Sequence, residues 1–226
     1  MESPRHILTC FETALENLRK DVLMMASLAT RSIENARKGL FERDEDWCNT
    51  VIADDGELDS LEIQVDNAGM DILWRFHPFA SDLRNLIASM KTSVNLERGA
   101  DQAVGIARRA RKLISQPALP ELARIEPLFS MATTMFADSV KAYADGNIEL
   151  ARTLKLRDKE LDEQNRTFAD TLADLMQKSP DSIRGYLELI FIARFLERIG
   201  DQAKSIAEDT IYAVEVQDIR HTPVPS

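Results

Sequence analysis

Two acid-x-x-x-acid pairs stand in the first half of the chain, Asp55 with Asp59 and Glu97 with Asp101; the same spacings return as Asp158 with Asp162 and Glu197 with Asp201. Residues four apart lie on one face of a helix, one turn from each other, so each pair projects its carboxylates together. If the helices carrying the two pairs are neighbours, four carboxylates converge in each half. Like charges at this spacing cost roughly 0.2–0.5 kcal/mol per pair, and a cation is the obvious remedy. All-oxygen ligands suit Mg, Mn, Ca or Fe rather than a thiolate-rich zinc site. Helical di-iron enzymes add a Glu-x-x-His pair to their carboxylates. None of His6, His77 and His221 has that setting, which disfavours a redox di-iron enzyme and leaves a carboxylate-bridged cluster open.

The competing reading is ordinary solvated acid. The chain holds 38 Asp and Glu, and Glu12/Glu16, Glu42/Asp46, Glu62/Asp66 and Asp170/Asp174 share the spacing. Arg98 and Arg198 adjoin the acids and could form surface ion pairs of little worth. Recurrence at matching positions favours a site, although descent of both halves from one unit would carry the pattern along passively. On residues alone the two readings stay close.

That recurrence is part of a larger one. Leu96-Glu97-Arg98-Gly99-Ala100-Asp101-Gln102-Ala103 reappears as Leu196-Glu197-Arg198-Ile199-Gly200-Asp201-Gln202-Ala203, identical at six positions and displaced by 100 residues. Arg84, Ile106 and Ala107 match Arg184, Ile206 and Ala207 at the same displacement, and Asp55-Gly56-Glu57-Leu58-Asp59 matches Asp158-Lys159-Glu160-Leu161-Asp162 at 103. One unit occurs twice, with a small loop deletion in the second copy.

The elements that must position the acids are helices. Segments 5–42, 45–76, 81–115, 126–144, 147–178 and 181–216 carry apolar residues at spacings of three and four. In the third segment Leu83, Leu86, Ile87, Met90, Val94 and Ala100 read as a core stripe; in the sixth, Ile183, Leu187, Ile190, Phe191 and Ile206 do. His77-Pro78 closes one helix and Ser81 can cap the next, Gly146 ends another, and Ser179-Pro180-Asp181 starts the last. The expected fold is all-α, a tandem pair of antiparallel three-helix bundles related by a pseudo-twofold. Residues 1–116 form the first repeat, 117–126 the linker and 127–221 the second repeat, with 222–226 a frayed tail.

Composition excludes several function classes. With 226 residues, 44% hydrophobic and 29% charged, the chain can bury a full core. A net charge of −10 argues against a phosphate-neutralising grip on nucleic acid. The basic run Arg108-Arg109-Ala110-Arg111-Lys112 reads as a solvated complement to a helix C-terminus. Cys10 and Cys48 make neither a disulfide framework nor a zinc pattern, which fits a reducing cytosol. No signal-peptide core appears, and the apolar stretch 186–199 is interrupted by Glu188, Arg194 and Glu197, so membrane insertion is not expected. Without a Gly-rich phosphate loop, a nucleophile beside a histidine base or a zinc signature, an interaction protein is favoured over an enzyme.

The two octapeptides, the flanking Ala80-Ser81-Asp82-Leu83-Arg84 and Ile192-Ala193-Arg194-Phe195-Leu196-Glu197-Arg198-Ile199-Gly200-Asp201, and the ending Gln217-Asp218-Ile219-Arg220-His221 resemble the bacterial PhoU family of phosphate-uptake regulators. The resemblance spans essentially the whole chain. It implies a cytoplasmic, homodimeric adaptor, peripheral to the inner membrane only through its partners. Those partners would be the ATPase subunit of the phosphate ABC transporter and the membrane sensor histidine kinase, with the phosphate-starvation response held off when phosphate is plentiful. It further implies metal ions, Fe, Mn, Mg or Zn, on Asp55, Asp59, Glu97 and Asp101 and on Asp158, Asp162, Glu197 and Asp201. The first copy departs from the family's Glu-Arg-Ile-Gly-Asp by carrying Gly99-Ala100, which leaves its ligands intact and bears on local packing and site geometry. A carboxylate-bridged metal enzyme and a metal-free helical scaffold are the alternative readings.

Overall fold

The structure is a computed structural model that describes residues 4–216, with side chains from Thr9 onward. The ending 217–221 and the tail 222–226 singled out above lie outside the described residues. Seven α-helices are present among the described residues: α1 (Pro4–Phe41), α2 (Glu45–Ala53), α3 (Asp55–Phe76), α4 (Ala80–Ile114), α5 (Glu126–Asp145), α6 (Ile148–Lys178) and α7 (Ile183–Glu215). Short 3₁₀ turns at Pro120–Ile125 and Pro180–Ser182 lead into α5 and α7. No strand occurs among the described residues, and no helix there is long and apolar enough to cross a membrane.

The core follows from helical spacing. In α1 the residues Leu18, Val22, Met25, Ala29, Ile33, Ala36 and Leu40 recur at steps of three and four, and all are buried. That is the arithmetic of one helix face turned inward. In the first unit α1, α3 and α4 pack on one another, and in the second α5, α6 and α7 do the same. The longest of these interfaces is α4 against α7, the equivalent last helices of the two units, so the halves share a continuous core.

The single second segment expected from the pattern is bent into α2 and α3 at Asp54. Its backbone stays near helical at φ −77°, ψ −8°, but Glu57 N–H bonds the Asp54 carbonyl at 3.2 Å, a tighter i to i+3 step. Gly56, a weak helix former, follows at once. Ser81 is not the cap of α4: the helix begins a residue earlier, after Phe79, and Ala80 takes a φ of 51°. Ser179 leads into the 3₁₀ turn rather than into α7, without a side-chain capping bond. His77 and Gly146 do end their helices, both in left-handed backbone at φ 47° and 61°.

The stripe expected to be core on α7 is partly a surface. Ile183, Leu187 and Phe191 are exposed, whereas Tyr186, Leu189, Ile192, Leu196 and Ile199 form the buried face. On α4, Leu86 and Ala100 are buried but Ile87 is exposed. Apolar residues cover more than one stripe on both helices, and spacing alone could not choose between overlapping stripes. The basic run also differs from its solvated reading. Arg109 bonds Glu188 of α7 at 3.0 Å and lies 4.1 Å from the Phe191 ring centroid, while Arg108, Arg111 and Lys112 stay exposed.

Both tryptophans lie in the first unit. Trp47 on α2 is half-buried under the Lys38 ammonium, 4.5 Å from its ring, and Trp74 on α3 is 77% exposed.

Candidate functional site

Each pair sits on the helix the repeat assigns to it. Asp55 and Asp59 occupy the first turn and a half of α3, Glu97 and Asp101 the middle of α4. Asp158 and Asp162 lie on α6, Glu197 and Asp201 on α7. Because α3 packs on α4 and α6 on α7, each half brings its two pairs face to face.

In the first cluster the acids press on one another. Burial raises the Asp55 carboxyl, and the charges of Asp101 and Asp59 raise it further against a pull from Arg108. Glu97 is pushed up to about 7, first by burial, then by Asp101, Glu62 and Asp59, with only Arg98 opposing. Glu62 belongs to the same group: burial raises it, as do Asp66, Asp59 and Asp101. Among the described residues no hydrogen bond or ion pair reaches the side-chain carboxylates of Asp55, Asp59, Glu62, Glu97 or Asp101. They form five carboxylates with no contact partner, on two adjoining helices.

The second cluster is partly neutralised from within. Lys204 Nζ donates to Asp158 Oδ2 at 2.5 Å and to Asp201 Oδ1 at 2.9 Å. Asn165 Nδ2 donates to Glu197 Oε2, and Arg194 reaches Glu197 Oε1 at 3.5 Å. Burial raises the carboxyls of both Asp158 and Asp162, with Lys204 pulling each back down. For Lys204 burial works against the charge, but its bonds to Asp158 and Asp201 outweigh that and raise it. Asp158 is only 5% exposed, and its Oδ1 is buried with no hydrogen-bond partner.

The difference between the copies is carried by few residues. At the displacement of the last helix, Lys204 corresponds to Val104 and Arg194 to Val94; at that of the preceding helix, Asn165 corresponds to Glu62. Of these, Glu62 was legible as an acid one turn beyond Asp59 on the same face, but its Glu62/Asp66 spacing made it one of several chance pairs. Lys204, three residues after Asp201, and Asn165 carried no signal except the comparison of the two copies with each other.

The glycines of the two octapeptides are offset for packing. A Cβ on Gly200 would lie 2.5 Å from Leu161 Cδ2, so a side chain of α6 packs directly on this glycine of α7. In the first copy the methyl of Ala100 is accommodated and buried, and the close approach falls on Gly99, where a Cβ would lie 2.6 Å from the Phe136 ring of α5. Gly99-Ala100 thus trades a contact within one unit for a contact between units.

Chemically, the first cluster suits a hard or intermediate cation: all its donors are carboxylate oxygens, and no ammonium stands among them. Among the described residues no three His, Cys, Asp or Glu side chains are already gathered into a ligand shell. Asp59 and Asp101 are exposed, and among the described residues the only charges that oppose the acids are the guanidiniums of Arg98 and Arg108. The second cluster in this arrangement does not suit a cation, because Lys204 already lies between two of its acids.

Comparison with known proteins agrees with the duplication. The model of the PhoU domain matches twice, over residues 22–110 and 125–210. The chain is 34% identical over 217 residues to the phosphate-specific transport system accessory protein PhoU homolog of Pseudomonas putida, covering 96% of this chain and 85% of that protein. It is 32% identical to the phosphate-specific transport system accessory protein PhoU of Escherichia coli, covering 96% and 90%. The crystal structure of PhoU from Pseudomonas aeruginosa superposes with a TM-score of 0.89 at 32% identity, over 92% of this chain and all 100% of that one. A PhoU structure from Streptococcus pneumoniae, at 22% identity, shares the fold with a TM-score of 0.84 over 92% of this chain and 98% of that one. With two matched domains, a shared fold and relatives aligned almost end to end, this chain belongs to the PhoU family.

Proposed function

We propose that this chain is a cytoplasmic accessory regulator of phosphate-specific transport, which restrains phosphate uptake and keeps the phosphate-starvation response off when phosphate is plentiful. It acts as a homodimeric adaptor between the transporter's ATPase subunit and the membrane sensor histidine kinase, not as an enzyme. The observation that carries this reading is end-to-end likeness to proteins named for that accessory role, at 32–34% identity over 217 residues. The carboxylate cluster of the first unit adds a metal site to it, with Asp55, Asp59, Glu97 and Asp101 as ligands and Glu62 beside them. A cation held there supplies charge neutralisation and ties α3 to α4.

The test is phosphatase-reporter output in phosphate-rich medium after deletion of the gene, with a plasmid copy as control. Derepression that the plasmid reverses supports the reading. Unchanged output, with any paralogue also removed, overturns it.

A further inference from the structure

The two carboxylate clusters descend from one unit but are not alike. In the second, an ammonium lies between the acids of α6 and α7, held at 2.5 Å from Asp158 and 2.9 Å from Asp201. Glu197 is occupied separately by Asn165 and Arg194. The corresponding places in the first cluster hold Val104, Glu62 and Val94, none of which is a cation or a hydrogen-bonding neutral group.

We propose that Lys204 is a built-in counter-ion that keeps the second cluster closed to metal, so that metal uptake by this chain is confined to the first cluster. The inference rests on the metal-binding reading above and deepens it.

Two features support it, and a third shows that the closure can be undone. An entering divalent ion must first displace Lys204, which gives up two charge-assisted hydrogen bonds, the strong kind. It then meets one carboxylate fewer than in the first cluster, since Asn165 stands in place of Glu62, and affinity for hard cations depends on ligand charge count. Finally, the buried and unpartnered Oδ1 of Asp158 shows that Lys204 satisfies only half of that carboxylate. The second cluster keeps its oxygen donors and is latent rather than lost: removing the lysine leaves Asp158 Oδ2, like Oδ1, without a partner.

The experiment is Mn²⁺ titration of the full chain after stripping with chelator. Bound metal is counted by elemental analysis, free Mn²⁺ by its paramagnetic resonance signal, and helicity is checked by circular dichroism. Glu97→Gln should weaken uptake by wild type at least about tenfold, and Glu197→Gln should leave it within about twofold. Lys204→Met should add a second set of bound Mn²⁺ that Glu197→Gln, introduced on top of it, removes. If Glu197→Gln lowers wild-type uptake as much as Glu97→Gln does, the second cluster is already open and the inference fails, while metal binding stands. A folded Lys204→Met chain with unchanged stoichiometry also overturns it. Absence of uptake in wild type and every variant overturns the metal reading and this inference together. Should Lys204→Met fail to fold, the Glu97→Gln and Glu197→Gln pair decides alone.

Discussion

Arg109 of α4 donates from Nη1 to Glu188 Oε2 of α7 at 3.0 Å, and this ion pair joins the last helices of the two units. Both side chains are largely withdrawn from water, at 27% and 15% exposure, and Lys112 stands 3.7 Å from the other oxygen of Glu188. Arg109→Ala leaves Glu188 with only the exposed lysine, and should lower stability by about 1–3 kcal/mol. Arg109→Lys keeps the charge but loses the planar face over Phe191, and should cost about 1 kcal/mol or less. Urea unfolding of the three proteins gives both values, and an alanine variant as stable as wild type would show that the pair adds nothing.

Glu97 makes stability depend on pH in an unusual direction. Its carboxyl, raised to about 7 by burial and by Asp101, Glu62 and Asp59, binds a proton in the folded chain where the unfolded chain, with a value of roughly 4.3, does not. The folded state then holds more protons, so stability from this group falls as pH rises from the unfolded value through about 7. With chelator present, Glu97→Gln should be more stable than wild type at about pH 8, by about 1 kcal/mol after allowance for solvent screening. The gain should close as pH falls to about 4, below the unfolded value. Thermal melts across that range check it; a gain independent of pH would mean that charge is not its cause.

Gly200 is required by contact rather than by backbone conformation. Leu161 is fully buried, and its Cδ2 lies 2.5 Å from where a Cβ would stand. Gly200→Ala should therefore cost up to about 2 kcal/mol, overpacking of about 1–3 kcal/mol offset by about 1 kcal/mol of helix propensity. In a double-mutant cycle with Leu161→Ala, the two losses should sum to more than the double variant loses, because the truncated leucine makes room for the methyl. Strict additivity would place the strain elsewhere.

The two cysteines should separate cleanly. Cys48 is buried, and burial foremost pushes its thiol up to about 11, whereas Cys10 is exposed. A thiol reagent at about pH 8 should modify one cysteine per native chain and two after denaturation, because the thiolate is the reactive form. Two rapid equivalents in the native protein would mean that the α1–α2 corner opens readily.

Helix existence was legible in the sequence because the apolar spacing of three and four is long and uninterrupted, as in Leu18 to Leu40. The placement of the acids was legible because duplication repeats it. What the pattern could not resolve was local: the bend at Asp54, which depends on one near-helical residue two before a glycine, and the choice of buried face on α7, where apolar residues form more than one stripe. In the site, Asp55, Asp59, Glu97 and Asp101 could be named from spacing, but the partner that distinguishes the copies could not. Lys204 reads as an ordinary surface lysine until its neighbour across the helix interface is known to be Asp158.

The placement of Trp47 and Trp74 in the first unit gives the molecule a one-sided optical label. Indole emission reports on α2 and α3 and is blind to α5, α6 and α7, while far-ultraviolet circular dichroism weighs every helix. If the shared α4–α7 core makes the halves melt as one, the two signals trace a single curve, and their separation would measure how far one half can come apart while the other still stands.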